Sequence, residues 1–119
     1  MMAEVSAELA DFTILTAEDP RTESLDSILE EMAEGMRVKG AEEGQTFIRV
    51  RDRGEAIRKA VGTAQAGDLV IICGKGHEQS MCFGVTEYPW DDRTAMRAAL
   101  AELLSATGPP MPYLPTQDA

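Results

Sequence analysis

Two titratable side chains, His77 and Glu78, follow Gly74-Lys75-Gly76 directly, and this run comes straight after the apolar stretch Leu69 to Cys73. A continuous apolar run bounded by the turn signal Gly67-Asp68 and by glycines predicts a fully buried parallel strand. In open α/β sheets ligands bind beyond the carboxyl ends of the strands, and glycines there let backbone N–H and C=O groups approach a small molecule closely. A second polar cluster, Thr16-Ala17-Glu18-Asp19-Pro20-Arg21, follows the apolar run Phe12 to Leu15 in the same way. Pro20 stiffens that turn and Arg21 offers a planar fork for a carboxylate. The competing reading is a plain strand-to-helix turn in which Asp19 bonds local backbone and Arg21 pairs with Glu23 on the surface. If both clusters end strands of one sheet, an arginine, three carboxylates (Glu18, Asp19, Glu78) and free backbone donors come within reach of one ligand. That set suits a zwitterionic amino acid.

Other chemistries fit the same residues less well. A phosphate-binding P-loop needs a glycine five residues before its Gly-Lys pair and a Ser or Thr after it. Leu69 and Gly76 stand at those positions, so the P-loop reading fails. Cys73, His77 and Cys82 lack a regularly spaced fourth partner for a structural zinc site, and no metal is expected. His77 has no nearby nucleophile and orienting acid that would make it a general base, so no catalytic residue is assigned.

The elements that must position these residues alternate along the chain. Met2, Val5 and Leu9 recur at helical spacing before the strand Phe12 to Leu15. Leu25, Ile28, Leu29 and Met32 then form an amphipathic helix with Ser24 as N-cap, Asp26 in its first turn and Gly35 as its stop. Met36 to Gly44 reads as a surface loop. The alternation Thr46-Phe47-Ile48-Arg49-Val50 predicts a strand near an edge, and Asp52 caps a helix with Glu55 three residues on and a stripe of Ala56, Ile57, Ala60, Val61 and Ala64. After the glycine loop, Met81 to Val85 suits a short strand. Asp91 or Asp92 opens a last helix with Met96, Leu100, Leu103 and Leu104 inward. Strands alternating with helices predict βαβ units, hence an α/β fold with a mainly parallel sheet and helices on both faces. A domain over 1–105 and a Pro-rich, extended or disordered tail over 106–119 are expected, because Gly108, Pro109, Pro110, Pro112 and Pro115 remove helix and ladder options together.

The chain has 119 residues, enough for one domain with a real core. Eleven basic against twenty-one acidic residues give a net charge of −10, which opposes binding to nucleic acid or an anionic membrane. No run approaches the ~18 apolar residues of a membrane span and no signal segment opens the chain, so the expectation is cytoplasmic. Two cysteines exclude a disulfide framework, and Cys73 is expected to be buried as a small hydrophobe.

Taken together, these motifs resemble the C-terminal domain of the Mur ligases that add the third residue of the peptidoglycan stem peptide, the UDP-N-acetylmuramoyl-tripeptide synthetases. The likeness runs in order through the Thr-x-Glu-Asp-Pro-Arg turn, the amphipathic helix, Arg51-Asp52-Arg53 with Glu55-Ala56-Ile57, Gly67-Asp68, the GKGHE loop and Asp91-Asp92-Arg93. It implies a Rossmann-like domain that closes over a central ATPase domain and brings an amino acid to an acyl phosphate made on UDP-MurNAc-L-Ala-D-Glu. Gly74 and Glu78 would contact the amino acid, and Glu18, Asp19, Pro20 and Arg21 would recognise its side chain; Lys75 and His77 match the motif as supporting residues with no role assigned. ATP and Mg would serve the intact ligase, with none expected on this chain alone.

Two departures qualify the likeness. Diaminopimelate-adding members carry Asp-Asn-Pro-Arg where this chain has Glu18-Asp19-Pro20-Arg21, so a carboxylate replaces an amide that can donate. Arg21 favours a side-chain carboxylate such as that of meso-diaminopimelate, whereas the charge on Asp19 would favour the terminal ammonium of ornithine or lysine. The family's first strand, with an arginine-bearing loop, and the N-terminal and central domains would precede Met1, so the chain is expected to be inactive alone. The alternatives are a stand-alone α/β domain binding a small molecule or a protein, or a piece of a folylpolyglutamate- or cyanophycin-type ligase.

Overall fold

A computed structural model of the chain describes residues 2–75 and 78–118. The first helix, α1 (Met2–Leu9), leads into β1 (Thr13–Leu15), which is followed by α2 (Leu25–Val38) and β2 (Phe47–Arg49). β1 and β2 pair in parallel, with Thr13 opposite Phe47 and Leu15 opposite Arg49, so β1-α2-β2 is a βαβ unit. Next come α3 (Arg53–Thr63), β3 (Ser80–Phe83), β4 (Thr86–Pro89) and α4 (Asp92–Leu104). The helices pack as two layers, each with its own core. Ala3, Leu15, Leu29, Ala33, Met36 and Phe47 fill the α1/α2 side, and Ile57, Val61, Met81, Trp90, Ala95 and Leu114 are central to the α3/α4 side. The α/β expectation therefore holds. No helix among the described residues is long and apolar enough to cross a membrane.

Several expectations need correction. The run Leu69 to Cys73 forms no ladder with the described residues, and it is not buried on both faces: Leu69 is 83% and Ile71 69% exposed. Side chains alternate along an extended chain. Val70 and Ile72 are half-buried, Ile72 against the α3/α4 core, while Leu69, Ile71 and Cys73 face outward. Cys73 is accordingly exposed rather than buried. α2 does not stop at Gly35 but continues through Met36, which completes the stripe Leu29, Ala33, Met36. Its stop is Gly40, whose φ of 88° is the left-handed conformation that ends helices. Met36 to Val38 are thus helix, not loop.

α4 turns its alanines inward, with Ala95, Ala98 and Ala99 buried and Leu103 and Leu104 exposed. Small side chains let α4 lie close to α3, and the expected leucine stripe falls on the outer side. The strand expected at Met81 to Val85 is the first half of a hairpin: β3 pairs antiparallel with β4 around Gly84-Val85. A glycine at positive φ opening a two-residue loop is a hairpin signal. The Pro-rich segment docks on the core and closes in a 3-10 turn over Pro115–Asp118. Leu114 is fully buried, Met111 packs against the same core, and the Thr116 hydroxyl donates to Asp52 Oδ1 at 2.6 Å.

Candidate functional site

The turn after β1 holds two non-glycine residues in the left-handed region, Asp19 at φ 43° and Arg21 at φ 55°, on either side of buried Pro20. Each such residue costs about 1–3 kcal/mol and persists only when its surroundings enforce it. The β3–β4 hairpin supplies that enforcement. The Arg21 N–H donates to the Cys82 C=O at 3.1 Å, the Gly84 N–H donates to the Arg21 C=O at 2.6 Å, and the Cys82 N–H donates to Asp19 Oδ1 at 2.8 Å. Asp19 therefore bonds backbone distant in sequence, not its own turn.

The glycine loop meets this turn at two points. Gly74 has φ 107°, and a Cβ placed on it would lie 2.4 Å from Glu18 Oε2, so only glycine lets the Glu18 carboxylate sit over the loop backbone. One residue on, Lys75 is buried, and its Nζ donates to Asp19 Oδ2 at 2.7 Å and to Glu78 Oε2 at 3.0 Å. Partial burial pushes the Asp19 carboxyl up, but the hydrogen bonds from Lys75 and Cys82 outweigh it and hold the group below the usual carboxylate range. Burial likewise pulls the Lys75 ammonium down, and its two carboxylate partners more than reverse this. Both shifts favour the charged forms, the Asp19 carboxylate and the Lys75 ammonium.

Glu18, Asp19, Gly74, Lys75 and Glu78 thus converge as the sequence suggested, and Pro20 in the same turn is buried. His77 lies outside the described residues. The exposed Arg21 side chain has no hydrogen-bond or ion-pair partner among the described residues, and the pairing with Glu23 does not form. By contrast the guanidinium groups of Arg37, Arg49, Arg51, Arg53, Arg58 and Arg93 all meet carboxylates.

Sequence reasoning missed the group that fixes the two loops relative to each other. The Arg53 side chain, at the start of α3, is 4% exposed. Its Nη1 donates to the Ala17 C=O at 3.1 Å and its Nη2 to the Cys73 C=O at 3.0 Å, joining the residues that lead into both loops. From behind, Asp92 takes the guanidinium bidentately at 2.8 Å and also accepts Trp90 Nε1–H at 2.7 Å. The signal was present in the motifs Arg51-Asp52-Arg53 and Asp91-Asp92-Arg93, but spacing alone does not show that they touch. A cavity of about 680 Å³ lies elsewhere, along β2 and α3, and its Arg49 and Arg58 are already engaged with glutamates. Among the described residues no group of three His, Cys, Asp or Glu side chains is placed to hold a metal.

Fold and site together define an α/β domain that gathers charged groups where two extended segments end. Residues 1–76 match the family described as "Mur ligase, glutamate ligase domain". Similar proteins include the UDP-N-acetylmuramyl-tripeptide synthetase of Roseiflexus sp., 42% identical over 87% of this chain, and that of Deinococcus radiodurans, 45% identical over 85%. The UDP-N-acetylmuramoyl-L-alanyl-D-glutamate--2,6-diaminopimelate ligase of Geobacillus kaustophilus is 43% identical over 86%. In each case the match covers 20% of the relative, so the chain spans about one fifth of their length. A solved structure of a UDP-N-acetylmuramoyl-L-alanyl-D-glutamate--2,6-diaminopimelate ligase superposes with a TM-score of 0.72 at 33% identity, covering 89% of this chain and 21% of that one. The chain belongs to the Mur ligase family, and its relatives are the tripeptide-forming ligases of peptidoglycan biosynthesis.

Proposed function

We propose that this chain is the amino-acid-recognition domain of an ATP-dependent ligase that adds a diamino acid to UDP-MurNAc-L-Ala-D-Glu. The observation that carries the reading is Arg21, a guanidinium with no hydrogen-bond or ion-pair partner among the described residues on a backbone fixed from both sides, next to carboxylates that suit an ammonium. Glu78 and the Gly74 backbone would receive the amino-acid head group, with Glu18 beside them and Arg21 facing a side-chain carboxylate. The amine would attack the acyl carbon of the acyl phosphate, forming the amide as phosphate leaves and the amine gives up a proton. The part of this chain in that step is to hold and orient the amine.

The glycine loop does not suit a nucleotide. Lys75 Nζ is engaged by Asp19 and Glu78 and offers a phosphate no free ammonium, so ATP and Mg belong, in this reading, to the rest of the intact ligase, as does the UDP-MurNAc-dipeptide site. Asp19 is a different matter from what the sequence suggested. Both of its oxygens are taken, so its charge does not by itself argue for ornithine or lysine, and meso-diaminopimelate is the favoured substrate. The test is an NMR titration of the chain with meso-diaminopimelate, ornithine and lysine. Arg21→Ala removes a charge-assisted hydrogen bond worth about 1.5–3 kcal/mol and should weaken diaminopimelate binding by about tenfold or more. Equal binding by both proteins would refute the reading.

A further inference from the structure

Lys75 is a buried ammonium that joins the two loops through their side chains: one carboxylate comes from the turn, Asp19, and the other from its own loop, Glu78. We propose that Lys75 is the residue that sets which side-chain end the site accepts, by cancelling charge that would otherwise oppose a carboxylate. The inference rests on the amino-acid-recognition reading and deepens it. With Lys75 present, the trio Lys75, Asp19 and Glu78 carries one net negative charge, and the Arg21 guanidinium, without a hydrogen-bond or ion-pair partner among the described residues, lies near enough to Asp19 to act on its charge. Without Lys75 the trio carries two, next to the Glu18 carboxylate. A carboxylate approaching Arg21 then meets like charges, while an ammonium gains partners. The Asp19 carboxylate is compatible with a carboxylate-ended substrate only because a buried lysine faces it. Lys75 is a positioning and charge-balancing residue, not a catalytic one.

The experiment compares the chain with its Lys75→Met and Lys75→Arg variants. Carboxyl-carbon NMR follows the titration of Asp19 and Glu78, and amide shifts at Arg21, Gly74 and Glu78 follow added meso-diaminopimelate or ornithine. In Lys75→Met the Asp19 midpoint should rise, and the ratio of diaminopimelate to ornithine affinity should fall by about tenfold or more, a change of about 1.4 kcal/mol. Lys75→Arg, which keeps the charge, should preserve the ratio. Emission of the buried Trp90 reports whether each variant is folded, and if Lys75→Met is not, Lys75→Gln takes its place. An Asp19 midpoint indifferent to loss of the lysine, or an unchanged affinity ratio, overturns the proposal. Absence of any shift with either ligand in the unaltered chain refutes the recognition reading instead, and with it the selectivity claim built upon it.

Discussion

Replacing Asp92 by alanine tests whether the buried Arg53 cluster holds this fold together. The change strands the Arg53 guanidinium, 4% exposed, without a counter-charge and leaves Trp90 Nε1–H without its acceptor. Breaking a buried pair by removing one partner costs about 3–5 kcal/mol, and an unsatisfied buried donor costs about 1–3 kcal/mol. The two losses share one carboxylate and are not additive, so about 3–5 kcal/mol is the expected total. A chain of 119 residues has about 6–18 kcal/mol of stability at the usual value per residue, so the substitution removes a large share of it. Urea unfolding, read by the emission of Trp90, the only tryptophan and 2% exposed, measures this directly. With a slope of about 2 kcal/mol per molar, the midpoint should fall by about 1.5–2.5 M. Glu102→Ala is the control, because it breaks the more exposed Arg58–Glu102 pair and should cost under about 1 kcal/mol. Asp92→Asn keeps an acceptor for Trp90 and should fall between them. Amide exchange should quicken at Arg21, whose turn leads from the Ala17 carbonyl, before it does at Ala33 in α2. A midpoint for Asp92→Ala within error of the control would refute the argument.

Two further perturbations reach other parts of the chain. The Asp19 carboxyl is held below the ordinary aspartate value in the folded protein, so its contribution to stability is present above about pH 4 and is lost as pH falls through the folded value; Asp19→Asn should cost stability at pH 7 and progressively less towards pH 3, and a cost that does not vary over that range would contradict the pairing with Lys75. Leu114→Ala should cost about 2–5 kcal/mol because the side chain is fully buried in the α3/α4 core, whereas Leu104→Ala, at a position 70% exposed, should change stability by no more than about 0.5 kcal/mol; equal thermal melting shifts would mean that the Pro-rich segment does not dock in solution.

Local pattern was enough wherever one neighbour decides the outcome. Ser24 and Asp52 accept from the backbone N–H three residues on because capping depends only on short-range geometry, and both were legible as caps. The βαβ unit followed from the order of apolar runs, and the turn Glu18 to Arg21 and the loop containing Gly74, Lys75 and Glu78 were legible as places where charged groups gather because glycine, proline and charge cluster there. Which face an element buries is another matter, since it depends on what lies opposite. Leu69 and Ile71 read as core but face outward, Leu103 and Leu104 read as inward but yield to Ala95 and Ala99, and Leu114 in a proline-rich stretch is buried. Partner choice among charges was also beyond local reading. Asp19 looked available to a substrate until Lys75 and the Cys82 N–H were found to occupy it, and Arg53 and Asp92 were two of many charged residues until the fold brought them together. Amino-acid type and spacing determined where the chain turns and which residues gather near the loops. Only the tertiary structure decided which charges are cancelled and which remain free, because burial and ion pairing are set by residues far apart in sequence.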